Sequence, residues 1–315
     1  MDERQHTRHA PHRRAIAIGV FDGLHRGHAE VIQRLTAYAR AHNLVSCVVT
    51  FDPHPALVLA PERAPRLLAT LDQRVEGLRA WGVDEVRVVH FDASRSRQSA
   101  SDFVRDILVE ELAAQVVVVG ANFRFGHDRE GSPVLLATLG ERYDFTVDEV
   151  TIRGGQVQWS STAVREALER GDLDAASEIL GRSFTLRGPV VHGDARGREI
   201  GFPTANVAAA PRQQLPRVGI YAGATVVQGA WWPAAISVGR RPHFYEEGAV
   251  LVEVHLPGFS GDLYDSTLDV LFWRHLRDEA RYDTLEALIH QIGLDVAETQ
   301  EIFRVATAQQ RLLLG

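Results

Sequence analysis

The segment Gly19-Val20-Phe21-Asp22-Gly23-Leu24-His25-Arg26-Gly27-His28 carries the densest chemistry in the chain. An apolar run at 15–20 leads into it, and a helical pattern follows it. A strand, a glycine-rich turn and a helix start, in that order, make an anion site, because backbone N–H groups and the helix dipole face the bound charge. Gly27 separates the imidazoles and lets a phosphate approach closely. His25 and His28 are then suited to hydrogen-bond the α-phosphate oxygens of a nucleotide as negative charge builds during nucleotidyl transfer. Gly19, Phe21, Asp22 and Gly27 complete the phosphate-binding turn, with Asp22 either orienting a histidine or capping the turn.

Three further motifs belong with this one. Thr50-Phe51-Asp52-Pro53-His54-Pro55 ends an apolar run and offers His54 either to a pocket or to a rigid strand exit. Asn122-Phe123-Arg124-Phe125-Gly126 follows another apolar run; Asn122 can donate and accept at a purine or flavin edge, and Phe123 and Phe125 can stack. Ser161, Thr162 and Arg165 open a helix, as plain capping or as a clamp on the β- or γ-phosphate.

The second half holds its own constellation. Gly193-Asp194-Ala195-Arg196-Gly197-Arg198 precedes Gly201-Phe202-Pro203-Thr204-Ala205-Asn206. Glycines that free the backbone, followed by Thr204 and Asn206 as hard oxygen ligands, suit a nucleotide–Mg²⁺ site. In Val252-Glu253-Val254-His255-Leu256 the polar and apolar residues alternate, so Glu253 and His255 share one strand face. A carboxylate on the inner face of a barrel is costly without a task, which makes Glu253 the candidate general base for a hydroxyl nucleophile; an outward, solvated Glu253 is the alternative.

Composition narrows the classes. The chain has 315 residues, which favours two domains, and 45% hydrophobic with 24% charged residues is ordinary for a soluble enzyme. A formal net charge of −7 argues against a nucleic-acid partner, and small molecules remain. All 34 basic residues are arginine, so P-loop, protein-kinase and lysine Schiff-base chemistry are excluded. The lone Cys47 lies in an apolar run and cannot form an intrachain disulfide, which fits a reducing, cytoplasmic location. No apolar stretch is long enough to span a membrane. Assembly of identical copies is left open.

These motifs need elements to hold them. Apolar runs at 15–20, 44–51, 86–91 and 116–120 read as strands buried on both faces. Helical patterns alternate with them, such as Val31, Ile32, Leu35, Tyr38 and Ala39, or Phe103, Ile107, Leu108 and Leu112. This predicts an α/β, Rossmann-like domain with a parallel sheet and ligands beyond the carboxyl ends of the strands. Asp172 to Leu180, closed by Gly181, reads as a short capped helix. From Phe184 to about Trp273 short β-rich runs predict a small antiparallel barrel, with a hairpin around Gln228-Gly229. Asp283/Glu286 and Asp295/Glu298 read as capping boxes of terminal helices. The expected domains are a disordered tail at 1–14, a nucleotidyltransferase domain at 15–184 and a kinase domain at 185–315.

Taken together, these motifs resemble the bacterial bifunctional riboflavin kinase/FMN adenylyltransferases, the prokaryotic FAD synthetases, over nearly everything but the tail. The resemblance rests on the motifs at 19–28, 50–55, 122–131 and 160–165, then on Gly-Arg-x-x-Gly-Phe-Pro-Thr-Ala-Asn at 197–206, Gly219-Ile220-Tyr221 and Glu253. It implies two sites using ATP, Mg²⁺ and flavin. In the first, His25 and His28 steady the α-phosphate, Ser161, Thr162 and Arg165 serve the outer phosphates, and His54, Asn122, Phe123 and Arg124 lie at the flavin. In the second, Gly193, Gly197, Arg198, Thr204 and Asn206 hold Mg-ATP while Glu253 takes the riboflavin 5′-hydroxyl proton. The chain departs from the family pattern at Gly239-Arg240-Arg241-Pro242-His243-Phe244 and at Gly261-Asp262-Leu263-Tyr264-Asp265. Both departures lie in the kinase half. A divergent relative that adenylylates FMN or a modified flavin and phosphorylates poorly is therefore the competing reading.

Overall fold

The computed structural model describes residues 13–151, 159–193, 196–240 and 250–306. Most of the expected tail, together with Asp194 and Arg241 to Phe244, lies outside the described residues. By internal contacts the chain divides into two compact units, residues 1–65 with 74–155, and residues 66–73 with 156–315.

In the first unit β1 (Arg14–Ile18), α1 (Arg26–His42), β2 (Val45–Asp52), α2 (Pro55–Leu59), α3 (Leu71–Ala80, which belongs to this unit from Arg74 on) and β3 (Glu85–His90) follow in order. Then come α4 (Ala100–Phe103), which runs on into a π-helical stretch at Val104–Glu111, β4 (Ala114–Gly120), α5 (Pro133–Tyr143) and β5 (Thr146–Val150). The strands form one parallel sheet in the order β3-β2-β1-β4-β5. Alternate residues feed two cores, as the period of a strand requires. Ile16, Cys47 and Val117 pack with Phe103, Leu108 and Leu136, whereas Ala17, Val48 and Val118 pack with Ile32, Leu35 and Leu78. Sheet and helices are thus layered as the alternating pattern predicts.

Two strands depart from expectation. The run at 86–91, read as buried on both faces, is an edge strand in which only Val89 is fully buried and Arg87 pairs with Glu111 at the surface. At the opposite edge, β5 escaped sequence reading because Asp148 and Glu149 interrupt any apolar run. Edge strands keep one face and one row of backbone groups near solvent, so polar residues are tolerated there.

Cys47 sits fully buried in the central sheet, and burial pushes its thiol up to about 12. The folded chain therefore keeps this proton where the unfolded chain, near 8.5, releases it. The resulting stability is complete below the unfolded value and declines as pH rises toward 12. A thiol reagent at pH 8 is expected to label the native chain at least about tenfold more slowly than the denatured chain. Equal labelling rates would contradict the burial.

In the second unit α6 (Ser161–Arg170) and α7 (Leu173–Leu180) precede β6 (Phe184–Val191), α8 (Arg196–Glu199), β7 (Thr204–Val207), β8 (Gly219–Val227) and β9 (Ala230–Arg240). Next come β10 (Val250–His255), β11 (Thr267–Arg277) and α9 (Leu285–Val305). The strands close an antiparallel barrel in the order β10-β7-β6-β11-β8-β9. Ser160 and Asp172 cap α6 and α7, and Gly171 and Gly181 end them in the left-handed region. The expected β8–β9 hairpin turns through Gln228 and Gly229, both at positive φ, between the paired Val227 and Ala230.

The capping boxes need correcting. Thr284, not Asp283, caps α9 by accepting from the Ala287 N–H at 3.2 Å. Asp295 lies inside this unbroken helix, its carboxylate engaged by Arg277.

Candidate active sites

The first site is built at adjacent strand ends of the parallel sheet. β2, β1 and β4 are neighbours, and the motifs at 50–55, 19–28 and 122–126 leave their carboxyl ends. After β1 the chain turns through Phe21 (φ 55°), Gly23 (φ 80°) and Leu24 (φ 47°) before α1 starts. Left-handed backbone at a phenylalanine and a leucine costs about 1–3 kcal/mol each. Burial holds the turn in place, since Phe21, Asp22, Leu24 and His25 are 3–4% exposed. Gly19 lies close under the Phe21 ring, which a Cβ there would approach to 3.1 Å and which would have to shift by a few tenths of an ångström to admit it.

The two imidazoles are not equivalent. His25 is the N-cap of α1, its Nδ1 accepting from the His28 N–H at 3.3 Å. In the neutral ring that bond puts the proton on Nε2 and leaves it as a donor. His28 is half-buried in the first turn of α1, stacked on His25 at 3.6 Å, with the Phe21 ring edge-on at 5.1 Å. Both rings thus stand at a helix N-terminus, where an anion is favoured.

His54 also caps a helix, its Nδ1 accepting from the Ala56 N–H at 3.1 Å at the start of α2. Asn122 and Arg124 are exposed beyond β4. Phe123 stacks on Phe125 at 5.4 Å, and Phe125 is the one that joins the core. Gly126 admits no side chain, since a Cβ would lie 2.6 Å from the Ala100 nitrogen. Glu130 accepts from that same Ala100 N–H at 2.7 Å and clamps the loop. Ser161, Thr162 and Arg165 belong to α6 in the second unit; Ser160 does the capping, and Arg165 Nε donates to the Arg66 carbonyl at 2.6 Å.

Strand register builds the second site. Across β10, Glu253 stands opposite Asn206 on β7 and Ser237 on β9, and His255 stands opposite Thr204 and Ala235. Thr204, Asn206, Glu253 and His255 therefore share one face. That face is not the barrel interior, which Val252 and Val254 fill. The expectation of an inward carboxylate is thus corrected: Glu253 lines a cavity of about 970 Å³ outside the barrel core, whose other lining includes Leu285, Leu288 and Ile292 of α9. A cavity wall hydrates a carboxylate that an apolar core would reject.

The glycines of the loop are explained by close approach. A Cβ on Gly193 would lie 2.1 Å from Asn206 Nδ2, and one on Gly197 would lie 2.3 Å from the Phe202 carbonyl oxygen and 3.5 Å from Thr204 Oγ1. Arg198 is exposed on α8. Asn206 is 6% exposed, and its Oδ1 has no hydrogen-bond partner among the described residues. A buried, unsatisfied carbonyl oxygen costs about 1–3 kcal/mol. With Thr204 on the same face, it fits a divalent cation that takes hard oxygen ligands. His255 Nδ1 hydrogen-bonds the Pro203 carbonyl at 2.8 Å, which puts the ring proton on that nitrogen. Asp265 adopts φ 61°, a left-handed turn that aspartate tolerates.

Sequence reading missed the far wall of this cavity. The row that holds Asn206, Glu253 and Ser237 continues through Ile220 to Arg277. Arg277 grips Asp295 of α9, donating from Nη2 to Oδ2 at 2.7 Å and from Nε to Oδ1 at 3.0 Å and Oδ2 at 3.2 Å, and Gln291 donates to Oδ1 at 2.9 Å. The carboxylate bond holds the Arg277 guanidinium above its usual range. Asp295→Ala is expected to cost about 2 kcal/mol by removing charge-assisted bonds to a partly buried cation, read as a lower denaturant midpoint. An unchanged midpoint would mean that the pair does not anchor α9.

The fold and these two sites define a nucleotide-dependent transferase of two domains. The FAD synthetase family model matches residues 7–163, and the riboflavin kinase model matches residues 180–303. The chain belongs to the bifunctional riboflavin kinase/FMN adenylyltransferase family. It is 40% identical over 299 residues to the member from Pseudomonas fluorescens, covering 94% of this chain and 96% of that one. With the member from Escherichia coli K12 it shares 39% over 290 residues, covering 91% and 92%. A crystal structure described as a macrolide-efflux protein from Streptococcus pneumoniae superposes with a TM-score of 0.82 at 29% identity, covering 93% of this chain and 95% of the other. Among the described residues, no helix is long and apolar enough to cross a membrane.

Proposed function

We propose that the chain makes FAD in two steps, phosphorylating riboflavin to FMN and then adenylylating FMN. One observation carries the reading: a single chain matches both family models, one over residues 7–163 and the other over 180–303. In the kinase half the riboflavin 5′-hydroxyl attacks the γ-phosphorus of ATP, Glu253 accepts the hydroxyl proton, and ADP leaves. Thr204 and Asn206 are the residues that would hold magnesium, which when bound offsets charge on the transferring phosphate. Gly193, Gly197 and Arg198 would cover the nucleotide.

In the adenylyltransferase half the FMN phosphate attacks the α-phosphorus of ATP, and pyrophosphate departs. Nε2–H of His25 and the His28 ring face the growing negative charge, with no covalent intermediate. His54, Asn122, Phe123 and Arg124 would receive the flavin. The partners are small molecules. A cytoplasmic location suits the buried, reduced Cys47.

The test is direct. The protein is incubated with Mg-ATP and either riboflavin or FMN, and the flavins are separated by chromatography. FMN and FAD from riboflavin are expected. FAD from FMN with none from riboflavin would favour the divergent relative that the changed loops raise. No product from either flavin would remove the proposal.

A further inference from the structure

Arg74 belongs to none of the motifs above, yet it is 3% exposed. Its Nη1 donates to the Val20 carbonyl at 2.9 Å and lies 3.1 Å from Thr50 Oγ1 and 3.2 Å from the Phe51 carbonyl. Nη2 stands 3.8 Å from Asp52 Oδ1. Thr50 Oγ1 in turn donates to the Val20 carbonyl at 3.0 Å. Val20 begins the phosphate turn, and Asp52 leads into Pro53-His54-Pro55. One guanidinium thus joins the exits of β1 and β2, the two segments that carry His25, His28 and His54.

A second contact points the same way. One helical turn after Arg74, a Cβ on Gly77 would lie 2.2 Å from Leu24 Cδ1, so α3 packs tightly on the left-handed part of the turn. Burial lowers the Arg74 pKa, opposed by the charges of Asp22 and Asp52. A buried cation is retained at a cost that an apolar side chain would avoid. Its three acceptors all belong to the backbone or hydroxyls of the strand exits, which gives the cation a geometric task.

We infer that Arg74 is a positioning residue for adenylyl transfer, holding the phosphate turn and the His54 segment in one register so that both substrates meet in line. The inference rests on the adenylyltransferase reading above. Positioning acts on the reacting geometry, so its loss falls mainly on kcat.

Arg74→Met and Arg74→Lys are compared with the wild type for FAD formation from FMN, for riboflavin phosphorylation and for melting temperature. Arg74→Met is expected to lower kcat for FAD about 30-fold while KM for ATP stays within about threefold. Phosphorylation, whose groups lie elsewhere, is expected to hold. Lysine carries three donors for the three acceptors, so Arg74→Lys is expected to recover kcat to within about fivefold of wild type. Wild-type kcat in Arg74→Met, or a parallel loss of both activities that lysine does not relieve, would overturn the role. Should Arg74→Met not fold, Arg74→Gln takes its place with the same expected loss, and wild-type kcat there would overturn it equally. A wild-type chain that forms no FAD would remove the parent reading and this role with it.

Discussion

His28→Ala is expected to reduce FAD formation from FMN and ATP by about 10²–10³-fold while leaving riboflavin phosphorylation at the wild-type rate. The ring stands in the first turn of α1, stacked on His25, where the helix N-terminus already favours a phosphate. A donor aimed at charge that grows only in the transition state affects kcat more than substrate affinity. His28→Ala is also the cleaner probe of the two imidazoles. His25 caps α1 through Nδ1, so replacing it removes about 1 kcal/mol of helix stability as well as a donor. Rates of FAD and FMN production measured in one preparation decide the matter. Equal loss of both would mean that the two activities do not use separate groups.

Glu253→Gln should give the opposite pattern, with riboflavin phosphorylation down by about 10²–10⁴-fold and FAD formation from supplied FMN preserved. Glutamine keeps the size and the strand but cannot accept a proton at neutral pH. The register puts Glu253 beside Asn206, so the base and the proposed cation ligand lie one strand apart. Normal FMN output from Glu253→Gln would remove the base assignment and direct attention to His255, the next polar residue on that face.

Local chemistry was legible where neighbours in the chain do the work. The turn at 19–28, the cap at Asp172 and the Gln228-Gly229 hairpin depend on residues within a few positions, and each forms where its pattern predicts. Alternation at 252–256 separated two faces but not which one met the core, because a barrel strand can turn its polar face toward a ligand cavity as readily as toward bulk water. The edge strands at Glu85–His90 and Thr146–Val150 were misjudged or missed because half-exposed strands need no apolar run. Arg277 and Arg74 gave no local sign at all. Asp295 lies 18 residues from Arg277, and the Val20 carbonyl lies 54 residues from Arg74, so only the assembled sheet or barrel reveals either partner.

The row from Asn206 to Arg277 has a consequence for how chain length can vary. Because side chains alternate strictly along β10, deleting one residue just before Glu253 would swing the carboxylate into the aliphatic interior and expose Val252 or Val254 to ligand. Insertions should therefore be better tolerated at the exposed tip Ser260–Asp262, between β10 and β11, than within β10.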